Sequence, residues 1–243
     1  MSPKGHPDYV TPVTQVYIEG LAGLEELASR LGSVVPFDLH GNIVLIENFE
    51  SELTEWYDEG DGLGSTAVRS SRHKHSGDWS LKLYNRGVAG ATAALALDFE
   101  YPGLLKYGLF ARFCWDTNLD QFSLWLTFYD GVYRHKIIVE YEYLAGELRL
   151  QTFPVADYIV ASDLYLSSGE LAWRPILVTF DLRTGYYDKV FFDGREYDVS
   201  AVPMIVTLDP TKPKGYLNVS ADENIATAYT IYADDIVLVK NVP

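Results

Sequence analysis

Hydrophobic and polar positions alternate with a period of two over most of residues 43–241, the pattern of strands that bury one face. The alternation predicts strands over Ile43 to Phe49, Thr66 to Ser70, Trp79 to Tyr84, Tyr107 to Trp115, Phe122 to Tyr129 and Val132 to Tyr143. It continues over Glu147 to Phe153, Ile176 to Leu182, Lys189 to Phe192, Arg195 to Val199, Tyr216 to Ser220 and Thr227 to Val239. Ala91 to Phe99 adds a further strand, although its alanines also suit a helix. About thirteen short strands with no long helix among them point to an all-β fold of two packed antiparallel sheets.

Two Asp-Gly pairs fall between alternating runs, at Asp130-Gly131 and Asp193-Gly194. Asp-Gly between alternating runs favours a two-residue hairpin, whose central positions both need positive φ. In the first hairpin Tyr129 is then expected opposite Val132. Phe128, Leu126, Leu124 and Phe122 would oppose Tyr133, His135, Ile137 and Val139 on a core face. The other face would carry Trp125, Thr127, Arg134, Lys136, Glu140 and Glu142, polar around one large aromatic. In the second hairpin Lys189 should oppose Asp198 and Val190 should oppose Tyr197.

Residues 1–42 read differently. Pro3, Pro7 and Pro12 keep the lead extended, and Thr14 to Ile18 suits a strand added to a neighbouring sheet edge. From Glu19 to Leu31 the apolar positions Leu21, Leu24, Leu27, Ala28 and Leu31 recur at helical spacing, with Gly32 as a stop and Pro36 as a break. A helix this short is marginal alone, so its leucine stripe must pack on this domain or on a partner. The expected organisation is an N-terminal arm over 1–42, with a short amphipathic helix at 19–31, and a sandwich over 43–243.

Composition narrows the partners. A chain of 243 residues can bury roughly 70% of its unfolded surface, and its 18 Tyr suit facing positions on strands. A net charge of -15 opposes nucleic acid and anionic lipid, which need clustered Lys and Arg. The single Cys114 lies in an alternating run and reads as a strand side chain. The segment Met1 to Asp8 lacks the apolar core of a signal peptide, and no apolar run approaches the ~20 residues that span a bilayer.

Three segments carry a family likeness: Ile46-Glu47-Asn48-Phe49-Glu50-Ser51, His75-Ser76-Gly77-Asp78-Trp79-Ser80-Leu81-Lys82-Leu83, and Ile231-Tyr232-Ala233-Asp234-Asp235-Ile236-Val237-Leu238. Trp173 ahead of a strand, with Phe180 to Gly185 and Phe192 to Tyr197, adds to it. Together they resemble the jelly-roll sandwiches of the concanavalin A-like and carbohydrate-binding-module type over residues 43–241. The arm followed by this sandwich, with Leu27 to Gly32 ahead of an Asn-Phe-Glu strand, also resembles virion structural proteins of tailed bacteriophages.

The first resemblance implies a structural calcium where the first and last strands meet, held by Glu47 or Glu50, Asp234 or Asp235, Asp78 and carbonyls near Gly77. Calcium takes six to eight oxygens, which distant carboxylates and carbonyls can supply. The bland alternative is ordinary edge carboxylates in an acidic protein. Glu140 and Glu142, two apart beside Trp125, suit the paired carboxylates of a glycosidase, yet the Glu-x-Asp-x-x-Glu strand pattern of jelly-roll glucanases is absent. Trp125 with Thr127, Arg134 and Lys136 suits a sugar platform, and equally a subunit contact. His73 and His75 lack a third metal ligand by spacing and read as a solvated loop. No phosphate loop, Gly-x-Ser-x-Gly elbow or Cys-x-x-Cys pair occurs.

The resulting expectation is a non-catalytic structural protein of a phage-like virion, a capsid decoration or tail component. It would dock through Leu21, Leu24, Leu27 and Leu31 on copies of itself, in a trimer or other closed ring, and on other virion proteins. The alternatives are a carbohydrate-binding module, which would be secreted and bind glycan, and a glycoside hydrolase or lyase.

Overall fold

The computed structural model describes residues 41–60, 63–88, 90–116, 121–153, 157–166, 172–222 and 227–242. The arm expected before Gly41, with its helix and leucine stripe, lies outside the described residues. The elements run β1 (Asn42–Glu47), β2 (Trp56–Asp58), β3 (Thr66–Ser70), β4 (Ser80–Asn85), β5 (Thr92–Phe99), β6 (Lys106–Trp115), β7 (Gln121–Tyr129) and β8 (Tyr133–Glu142). They continue β9 (Glu147–Gln151), β10 (Asp157–Ala161), β11 (Arg174–Asp181), β12 (Tyr186–Phe192), β13 (Arg195–Asp198), β14 (Ile205–Leu208), β15 (Lys214–Asp222) and β16 (Tyr229–Lys240). The described residues contain no helix.

All the pairings are antiparallel and close two sheets of eight strands. The first has the order β13-β12-β11-β6-β16-β4-β3 with β1 also on β16, and the second β10-β9-β8-β7-β15-β5-β2 with β14 also on β8. The all-β sandwich expected from the sequence is therefore the fold. The Ala-rich segment is a strand: Ala93, Leu95 and Leu97 point into the core, and pairing with β15 on one edge and β2 on the other fixes it.

Period-two alternation places one face of each strand between the sheets. On β6 these are Tyr107, Leu109, Ala111, Phe113 and Trp115, and on β7 Phe122, Leu124, Leu126 and Phe128, all buried. The sheets meet through aromatic contacts, with Phe113 stacked on Phe122 at 4.2 Å and Tyr107 against Phe128 at 4.9 Å. Removing one such ring would cost about 3–5 kcal/mol. Cys114 is buried on the opposite side of β6, and burial pushes its thiol up to about 12.

The two Asp-Gly hairpins part company. In the second, Asp193 and Gly194 have φ of 48° and 78°, and Lys189 pairs with Asp198 and Val190 with Tyr197, as the turn chemistry requires. In the first only Gly131 has positive φ. The Asp130 carboxylate instead accepts the amides of Val132 and Tyr133, at 2.7 and 2.6 Å, which lengthens the loop. Tyr129 therefore pairs with Arg134, and Phe128, Leu126, Leu124 and Phe122 oppose His135, Ile137, Val139 and Tyr141. This corrects the expected register by two residues, and an even shift leaves the faces unchanged.

Candidate functional site

Because Phe122, Leu124, Leu126 and Phe128 face the core, Ser123, Trp125 and Thr127 must face outward from the second sheet. The ladders carry this side across neighbouring strands. Thr127 lies between Lys136 of β8 and Tyr216 of β15, Trp125 between Ile138 and Asn218, and Ser123 between Glu140 and Ser220. Trp125, Thr127, Arg134, Lys136, Glu140 and Glu142 thus share one outer face.

The Trp125 row continues across Asn218 to Ala96 of β5 and then Tyr57 of β2, which is 40% exposed. The two aromatics stand three strand spacings apart, about 14 Å, with only Asn218 and the small Ala96 between them. The Trp125 Nε1 finds no hydrogen-bond partner among the described residues, and the Lys136 ammonium sits 4.8 Å from the centre of its ring. Glu59, just after β2, accepts hydrogen bonds from the Tyr216 hydroxyl and from Asn218 Nδ2, the latter at 3.1 Å. Tyr216, Asn218, Glu59 and Tyr57 were not anticipated. The alternation of Tyr216, Asn218 and Ser220 with Leu217 and Val219 carries the signal for β15, whereas Glu59 joins through a loop that leaves no pattern.

The other half of the face is acidic. Glu140 is buried and accepts a hydrogen bond from Gln151 Nε2 at 3.0 Å; burial, then the charges of Asp157 and Asp222, push its carboxyl up to about 7. Asp222 accepts hydrogen bonds from Thr92, Ser123 and Ser220. Glu142 pairs with Arg149, which also holds Glu147 at 2.6 Å. Concavities of about 410 and 570 Å3 elsewhere in the sandwich are lined by none of the expected site residues.

The residues expected for calcium gather in two places. Glu47 closes the turn after β1, accepting from the Phe49 amide at 2.6 Å and from Trp56 Nε1 at 2.8 Å. Glu50 accepts the amides of Asp78 and Trp79, both at 2.8 Å, with its carboxylate against Gly77, where φ is +61° and a side chain would collide with it. Asp78 points to Lys74. Asp234 and Asp235 are fully buried at a bulge in β16. Asp234 accepts the amides of His75, Ser76 and Asp235, and burial together with the Asp235 charge pushes its carboxyl up to about 7. Asp235 binds Ser76 Oγ at 2.6 Å, His75 Nδ1 at 2.7 Å and the Arg112 guanidinium.

These oxygens are taken by donors from within the chain, and no group of three His, Cys, Asp or Glu side chains placed for a metal occurs among the described residues. In this arrangement the donor set does not fit a six- to eight-oxygen ion, because Arg112 already supplies the positive charge. The expected solvated histidine loop holds for His75, which is exposed, but not for His73. His73 is only 6% exposed, lies edge-on to Tyr232 at 4.4 Å and has Asp116 at 3.3 Å, while His75 is held by Asp235. Loop composition hid this, because the partners come from β6 and β16.

No protein-family model and no curated protein matches the sequence. Solved structures match in shape. An endo-β-1,4-glucuronan lyase from the fungus Trichoderma reesei aligns with a TM-score of 0.55 at 12% identity, over 82% of this chain and 96% of that one. A carbohydrate esterase of the Shiga toxin-encoding bacteriophage phi24B aligns at 0.51 and 14% identity, over 83% and 99%. A sialidase aligns at 0.51 and 10% identity, over 83% of this chain but 19% of its own length. The chain therefore shares a two-sheet β-sandwich fold with these proteins.

Proposed function

We propose that this chain binds a glycan across the outer face of its second sheet. The observation that carries the reading is the row Trp125, Asn218, Ala96 and Tyr57, two part-exposed aromatics separated by a low floor. Aromatic faces stack on the apolar side of sugar rings, and flanking amides and hydroxyls bind their hydroxyl groups. A row that crosses the strands suits an extended chain better than a single ring. Likeness in fold to proteins named for carbohydrate chemistry supports the reading without carrying it.

The test is affinity electrophoresis of the protein through gels containing a panel of plant, fungal and bacterial polysaccharides. At least one should retard the wild type, and Trp125→Ala should weaken that binding about tenfold or more, the equivalent of ~1.4 kcal/mol. Retardation by none of them, or equal retardation of a folded Trp125→Ala variant, overturns the reading.

A second reading places this glycan-binding domain on a phage-like particle, anchored by residues 1–42. The phage origin of one structural match and the leucine spacing of the arm favour it.

A further inference from the structure

We propose that the glycan bound on this face is acidic, and that Lys136 receives its anionic group, a uronate carboxylate or a sulfate ester. The inference rests on the glycan reading above and adds the class of ligand.

Four cations stand on or beside the face, and three are neutralised from within the chain. Arg149 lies between Glu142 and Glu147, Lys214 holds Asp98 at 3.0 Å, and Arg134 has Asp209 at 3.9 Å. Lys136 has no carboxylate within ion-pair distance and no hydrogen-bond acceptor among the described residues, although it is half-buried. Among the described residues its close partner is the Trp125 ring, 4.8 Å away. Cation–π attraction offsets part of the desolvation of an ammonium and leaves its three hydrogens unsatisfied. Burial, then the neighbouring Arg134, pulls its pKa below the ordinary lysine value. The charge of Glu140 offsets part of that cost, but no carboxylate among the described residues comes within ion-pair distance of the ammonium.

The charges along the face are also graded. Arg134 and Lys136 lie near the β7–β8 hairpin, while Glu140 and Glu142 lie two and three strand repeats beyond Lys136 along β8. Four residues of strand separate the Cα atoms of Lys136 and Glu140 by about 13 Å, so the two make no ion pair although the Glu140 charge still acts on the ammonium. A sugar stacked on Trp125 therefore brings a substituent within reach of Lys136 while the acidic end stays distant. The indole sets where the ring lies, and the ammonium selects what it carries.

The test uses the full chain and three polymers in isothermal titration: a polyuronate, the same polymer after reduction of its carboxyl groups to neutral sugars, and a sulfated galactan. Wild type is expected to bind the polyuronate or the sulfated galactan at least about tenfold more tightly than the neutral polymer, with the preference shrinking as salt rises. Whichever anionic polymer is preferred identifies the group as carboxylate or sulfate. Lys136→Met should bring acidic and neutral polymers within about threefold of each other, and Lys136→Arg should keep the preference, with melting curves confirming that both variants fold. Equal binding of acidic and neutral polymers by wild type, or a preference that survives Lys136→Met, overturns the inference and leaves the glycan reading standing. Failure to bind any polymer on the wider panel removes both.

Discussion

Glu140 shows what a single buried side chain asks of this fold. It faces outward from β8 yet is only 6% exposed, hemmed by Gln151 and by strands on both sides, and its carboxyl titrates near 7 rather than 4.5. Below about pH 4.5 the group is protonated in both the folded and the unfolded chain and costs nothing. As pH rises the unfolded carboxyl ionises first, so stability falls between about 4.5 and 7 and stays lower above that. The shift corresponds to on the order of 3 kcal/mol. Glu140→Gln should therefore raise the melting temperature at pH 8 and leave it nearly unchanged at pH 4.5, measured by circular dichroism at both values. An increment of equal size at the two pH values would mean that the carboxyl is not the source. Asp234 is displaced in the same direction, so the wild type should be most stable on the acid side of neutrality.

Among the elements, β16 organises the most. Its one edge pairs with β6 along nearly its whole length, while the other pairs first with β4 through Ala233 and then with β1 from Ile236. The change of partner happens at Asp234-Asp235, where Asp235 takes a φ of 54°. The two carboxylates fill the gap by gripping the loop at His75 and Ser76, with Arg112 of β6 balancing the charge. Replacing one member of such a buried pair strands the other, at a cost of about 3–5 kcal/mol. Arg112→Met should thus melt well below the wild type, Arg112→Met with Asp235→Asn should recover most of the loss, and EDTA should leave the wild-type melting temperature unchanged. A fall with EDTA that calcium reverses would show that an ion, and not the guanidinium, closes this junction.

Thirteen strands are legible because a core face imposes alternation. The three that are not, β2, β10 and β14, border the second sheet or hang from one edge of β8, are three to five residues long and, apart from Trp56, are exposed or only partly buried. The Asp193-Gly194 register is legible because both turn residues obey the local rule, whereas at Asp130 the carboxylate caps two amides and changes the loop. Trp125, Lys136 and Glu140 share a face because they belong to one hairpin. Tyr57, Glu59 and Asn218 join them only through pairings between strands far apart in sequence, and nothing local announces such pairings.

At the scale of the whole molecule the question is whether the sandwich and the arm are separable. Among the described residues every ladder in both sheets joins residues between Asn42 and Lys240, and the buried core runs from Phe49 to Val242. A chain lacking residues 1–34 therefore keeps every residue of these described ladders. The arm's sequence, with prolines ahead of Leu21, Leu24, Leu27 and Leu31, still carries an apolar stripe that needs a surface to cover it. If that surface is another subunit, a chain lacking residues 1–34 should keep the wild-type circular dichroism and its retardation by polysaccharide, and should sediment as a smaller species than the full chain. If the surface is its own sandwich, the truncated chain should keep the sedimentation of the full chain and melt at a lower temperature. Sedimentation velocity paired with a melting curve separates the two, and only the first is compatible with an arm that anchors the domain to a particle.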